Sequence, residues 1–128
     1  MSPHIAENIS IQVEPVFLDH HSDASKPEFL FSYHIRIANL NPHSVQLLSR
    51  HWYIFDSNGQ HQEVQGEGVV GKQPIIEAEG THEYQSFCRL ETDMGMMWGV
   101  YLMRNCENEQ LFEVKVPEFQ MIDPARLN

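Results

Sequence analysis

Phe29, Phe31, Tyr33, Ile35 and Ile37 stand at every second position of EFLFSYHIRIAN, with Leu30, Ser32, His34 and Arg36 between them. Successive side chains alternate across a strand, whereas a helix would scatter these five around its axis. Only an extended strand gathers them on one face, and an aromatic face of that kind must be buried against a second layer. This one segment therefore predicts an all-β chain with a sheet packed on something apolar.

Other segments agree. ISIQV (Ile9 to Val13) alternates in the same way, and Pro15 predicts an edge strand or the end of one. LLSRHWYIFD (Leu47 to Asp56) is apolar on both faces, as a central strand is, and parity alone leaves open whether Trp52 and Ile54 or Tyr53 and Phe55 point inward. Asn58-Gly59 predicts a two-residue hairpin turn, which sets Asp56 opposite His61 and His51 opposite Gly66. Further strands are expected at Thr81–Leu90, Met96–Met103 and Leu111–Val116, with Pro117 stopping the last. Short strands separated by frequent turns describe an all-β, immunoglobulin-like or fibronectin type III-like antiparallel β-sandwich. At 128 residues one domain, 1–128 with a core at about 5–122, is expected.

Composition narrows the function. Eight basic against eighteen acidic residues give a formal net charge of −10, which repels nucleic-acid phosphates and anionic membranes. The N-terminal MSPHIAENIS has no signal-peptide pattern, and the longest apolar run, Met94 to Met103, is about half of the ~20 residues that span a bilayer. A cytoplasmic location with free Cys88 and Cys106 is expected.

Gly66, Gly68 and Gly71 spell G-x-G-x-x-G, the spacing of a dinucleotide loop. That loop needs a helix behind it to receive the pyrophosphate, and here Pro74 and no amphipathic pattern follow. Two readings remain for the glycines. One is a corner between strands needing positive φ. The other is an anion-binding nest of backbone N–H groups, with Arg50, His51, Gly66, Gly68, Gly71 and Lys72 around a small phosphate.

Catalytic constellations are absent from the pattern. His82 and Cys88 share a face but lie about 20 Å apart along an extended strand. Ser49 beside Arg50 and His51 has no orienting third group, and Glu77, Glu79 and Glu83 read as a solvated rim. A non-enzymatic protein without a cofactor is expected. Asp19, His20, His21 and Asp23 form the one local cluster of metal-ligand types, too local for a preorganised site. Trp98, Tyr101, Met97 and Met103, in a strand apolar on both faces, are the candidate protein-contact residues. A homodimer through a strand edge is a further expectation.

The combined pattern resembles the ApaG family: QLLSRHW (Gln46 to Trp52), D-x-x-G, V-x-G-x-G-V-V-G-x-Q-P, Y-x-S (Tyr84 to Ser86), T-D-x-G-x-M-x-G-x-Y-x-M from Thr92 to Met103, and F-x-V-x-V-P-x-F from Phe112 to Phe119. One departure is EAEGTHEY (Glu77 to Tyr84), where the family often has a proline-glycine turn. The resemblance implies a fibronectin type III-like sandwich and a protein-interaction module, found alone in bacteria and fused within eukaryotic F-box and DNA-polymerase-interacting proteins. It also implies an association with cobalt resistance and magnesium efflux.

Overall fold

A computed structural model describes residues 4–18 and 28–127. The Asp19–Asp23 cluster lies outside them. Among the described residues nine strands, β1 His4–Ala6, β2 Ile9–Phe17, β3 Phe29–Asn39, β4 Val45–Asp56, β5 His61–Glu67, β6 Ile75–Ile76, β7 Thr81–Leu90, β8 Met94–Asn105 and β9 Leu111–Ile122, precede a 3-10 turn at Pro124–Leu127. They form two antiparallel sheets, β1-β2-β3-β7 and β5-β4-β8-β9, with β6 added to β4. The chain is an immunoglobulin-like β-sandwich of the fibronectin type III kind.

The β3 alternation places Phe31, Tyr33, Ile35 and Ile37 in the core, where they meet Trp52, Tyr101 and Phe119 from the other sheet. Trp52 is the hub, edge-on to Tyr33, Tyr101 and Phe119 at centroid distances of 5.8, 5.9 and 6.2 Å. The parity question on β4 is thereby answered: Trp52 and Ile54 point in, Tyr53 and Phe55 out.

Three local expectations are settled. First, of the two readings of Pro15 the strand end is overturned: β2 runs through Pro15, which sits opposite Tyr33. The described part of β1 pairs with Ile9, Ser10 and Ile11, short of Pro15. Second, Pro117 does not stop β9. Met97 pairs with Phe119 and Gly99 with Val116, so Pro117 and Glu118 fall in a bulge opposite Trp98, where the ladder needs no proline N–H. The strand continues and buries Phe119 and Met121.

Third, the β4–β5 loop has three residues. The Asp56 N–H donates to the Gln60 carbonyl at 2.9 Å, and Gly59, at φ +94°, donates to the Asp56 carbonyl at 2.9 Å. That is a turn followed by a left-handed glycine bulge. The extra residue shifts the register by one: Arg50, not His51, faces Gly66, and His51 faces Gln65.

On one side of the sandwich β2 lies against β9, whereas no comparable contact joins β5 to β7. That side opens into a cleft between the layers.

Candidate functional site

The glycine segment is a corner that carries the chain from β5 to β6. Its backbone donors are largely spent inside it. The Gly68 N–H bonds the Leu48 carbonyl at 2.8 Å, and Val69 and Lys72 exchange both backbone bonds, at 2.8 and 3.1 Å, around a tip formed by Val70 and Gly71. Val70 and Gly71 both have positive φ, 47° and 75°, the backbone of a tight hairpin turn. Each glycine answers a separate steric demand. Gly66 makes room for the Arg50 guanidinium, since a Cβ there would lie 2.7 Å from Nη1. Gly68 combines φ +63° with close backbone approach to Lys72.

The residues proposed to ring an anion are divided, since Arg50 and His51 are adjacent on β4 and point to opposite faces. Arg50 points inward, and its Nη1 donates to the Glu67 and Gly68 carbonyls at 3.1 and 3.0 Å. His51 points outward. The Gln65 amide donates to its Nδ1 at 2.8 Å, which leaves its Nε2–H to donate to the Glu63 carboxylate at 3.3 Å. Lys72 and Gly71 are exposed at the corner, and Lys72 acts electrostatically on His82. Of the six, Arg50, His51 and Gly66 line one groove, and Gly68, Gly71 and Lys72 lie outside it.

The proposed contact residues divide too. Met97, Tyr101 and Met103 are buried in the core, at 1%, 0% and 0% exposure, and cannot form a surface; of the four, Trp98 alone stands on the outer face. There it joins residues from β4. His51 stacks on Tyr53 at 4.4 Å, Tyr53 stacks on Trp98 at 5.8 Å, and Phe55 packs on His61 at 4.9 Å. Met96, Val100 and Leu102 continue the apolar row along β8. An open groove of about 510 Å³ crosses this face between Tyr53, Val100 and Leu102, with Glu67 and Glu113 at its rims.

Behind the ladder, three phenols and a thiol face the interior near Arg50. The Tyr84 and Tyr101 hydroxyls share a 2.5 Å hydrogen bond. Burial raises the pKa of Tyr33, Tyr84 and Tyr101 above 10.0, and the Arg50 charge opposes the rise in each. Burial, with a smaller push from the Asp56 carboxylate, raises the Cys88 thiol from 9.0 to about 11. A thiol held protonated in this way is a poor nucleophile. Among the described residues, no group of three or more His, Cys, Asp or Glu is placed to hold a metal ion, and no helix is long and apolar enough to cross a membrane.

These shifts have a sign that can be checked. Each group is uncharged when protonated, and its folded pKa is raised. Its contribution to stability is therefore intact below the unfolded value and lost as pH climbs through the folded one. Stability is expected to hold to about pH 8 and drop by about pH 10.5, with Cys88 responsible for about 2 kcal/mol of the drop. Urea unfolding at both pH values tests this in wild type and Cys88→Ala. The same drop in the variant would show that the thiol contributes nothing.

The arrangement has close counterparts. The ApaG domain family model matches residues 19–105. Protein ApaG of Proteus mirabilis is 41% identical over 123 residues, spanning 96% of this chain and 98% of the relative. Protein ApaG of Rhizobium meliloti is 39% identical over 121 residues, spanning 94% of this chain and 92% of the relative. A crystal structure of a Bordetella pertussis protein designated ApaA superposes with a TM-score of 0.87 at 38% identity, covering 96% of each chain.

Proposed function

We propose, from the premise that the chain belongs to the ApaG family, that it is a non-enzymatic, cytoplasmic adaptor. It binds another protein through the outer face of the β5-β4-β8-β9 sheet. The observation that carries this reading is an asymmetry between the two outer faces. On the smaller sheet the outward residues include Glu14, His34, Arg36, Glu83 and Gln85, and its exposed large apolar residues are scattered, Val16 and Phe87 at one end and Ile5 on β1 towards the other. On the larger sheet the outward row is His51, Tyr53, Phe55, Met96, Trp98, Val100 and Leu102.

A contiguous aromatic strip inside a charged rim has the anatomy of an interface core, and Trp and Tyr are its usual anchors. The rim also favours a different protein over a second copy. Isologous pairing would bring Glu63, Glu67 and Glu113 of both copies into one interface between two chains that each carry −10. The association with cobalt and magnesium implied by the resemblance then runs through the partner.

A photoreactive benzophenone side chain placed at Trp98, and separately at Glu14 on the opposite face, tests the reading in living cells. Position 98 is expected to yield a discrete protein adduct and position 14 none. No adduct at 98, or the same adducts from both, would refute it. With the partner in hand, Trp98→Ser is expected to weaken binding by roughly 30-fold, the loss of an anchor worth about 2 kcal/mol.

A further inference from the structure

We propose that the cleft between β5 and β7 binds a small carboxylate with an apolar body, its anion held by Arg50 and its body against Trp52 and Val64. This site lies between the sheets, away from the aromatic outer face, and stands or falls independently of the adaptor reading.

Charge is the first argument. The cleft encloses about 250 Å³, and no Asp or Glu lines it, although the chain has eighteen. Arg50 and Arg89 both line it. In a strongly acidic protein this is a locally cationic recess. An anion that long-range repulsion would otherwise discourage finds its attraction here.

The state of Arg50 is the second. Among the described residues its only side-chain hydrogen bonds run from Nη1 to two backbone carbonyls, and no ion pair includes it. Those carbonyls, together with the space left by Gly66, position the guanidinium without neutralising it. Every fully buried side-chain nitrogen and oxygen has a partner, so Nε and Nη2 remain within reach of solvent. Two N–H groups on one planar edge match the two oxygens of a carboxylate.

The lining is the third. Tyr33 and Ser86, paired across the β3–β7 ladder with the serine hydroxyl acting on the phenol, add polar groups beside the guanidinium. Trp52 and Val64 supply an apolar wall. A doubly charged phosphate is costly to desolvate against such a wall, whereas a monoanion with a ring or branched chain gains from it. The volume falls just short of the roughly 300 Å³ at which drug-sized pockets begin, which limits the guest to a small acid.

Phenylacetate is the probe, with neutral phenylacetamide as its isostere and inorganic phosphate as the bare anion. Amide NMR titration is expected to show saturable shifts at Val64 and Ser86 with phenylacetate. Binding of phenylacetamide and of phosphate should be at least about tenfold weaker, as loss of a charge-assisted pair or of the apolar contact requires. Arg50→Gln should bring phenylacetate down to the level of the amide. Equal binding of acid and amide, equal binding of phosphate, or no saturation at millimolar phenylacetate would each overturn the proposal. The ligand comparison uses the native protein, so it decides even if Arg50→Gln fails to fold. Gly66→Val, whose side chain would displace the guanidinium, then replaces that variant.

Discussion

Gly68→Ala is expected to destabilise the fold by roughly 3 to 5 kcal/mol, as backbone strain and a backbone clash together require, while Gly71→Ala costs only about 1 to 2. Both residues have positive φ, 63° and 75°. They differ in what a side chain would meet. A Cβ on Gly68 would lie 2.0 Å from the Lys72 carbonyl oxygen and 2.6 Å from its carbon, whereas one on Gly71 would meet nothing within 4 Å. The Lys72 carbonyl cannot swing aside, because it accepts the Val69 N–H that closes the turn.

Since domains are held by only about 5 to 15 kcal/mol in total, the first loss is large enough to populate unfolded chains. Urea midpoints for the two variants measure the difference. A phosphate-cradling loop predicts the reverse pattern, with both variants folding normally. Equal midpoints would therefore remove the steric account of this motif. The large gap would establish that the glycines build a corner.

How much of this was legible beforehand depends on which rows of side chains carry a pattern. The β3 strand and its inward face were plain because five apolar residues on one parity have a single solution. On β8 both parities are apolar, so nothing local separates the buried Met97, Tyr101 and Met103 from the outward Trp98; the bulge at Pro117 and the neighbouring strands decide it. Proline misled at Pro117. Its missing N–H matters only where a ladder needs that donor, and which side of a strand is paired is a tertiary fact.

A three-residue loop in place of two brought Arg50, not His51, over Gly66, while Arg50 and His51, adjacent on β4, point to opposite faces whatever the loop length. The cleft was overlooked although it left a trace. On β7 the inward row is His82, Tyr84, Ser86, Cys88 and Leu90, apolar only towards its end, and the outward row holds Thr81, Glu83, Gln85, Phe87 and Arg89. A strand largely polar on both parities belongs at an edge with an open flank.

Asn39→Asp is expected to lose roughly 3 to 5 kcal/mol at neutral pH, although the substitution changes almost no volume. Asn39 is completely buried at the end of β3. Its Nδ2 donates to the carbonyls of His43 at 2.8 Å, Ile76 at 3.1 Å and Glu77 at 3.1 Å, two N–H groups shared among three acceptors. Its Oδ1 accepts from the Asn41 backbone N–H and side-chain amide, both at 3.0 Å. One side chain thus ties the end of β3 to the turn before β4 and to β6, the element that ends the glycine corner. A carboxylate keeps the acceptor half of this network and loses the donor half, and it points charge at three carbonyl oxygens. Those carbonyls would have no replacement donor.

The sign of the pH dependence distinguishes this cause from mere misfit. Burial and the facing carbonyls must raise the pKa of an aspartic acid at this position, so protonation on lowering the pH restores a single O–H donor and returns part of the lost stability. Urea unfolding at about pH 7 and about pH 5 reads this directly: the gap between wild type and variant should narrow as pH falls. A variant as stable as wild type at neutral pH would mean that β6 and the corner hold themselves without Asn39. A gap that stays constant would assign the loss to packing, not to the reversed hydrogen bonds.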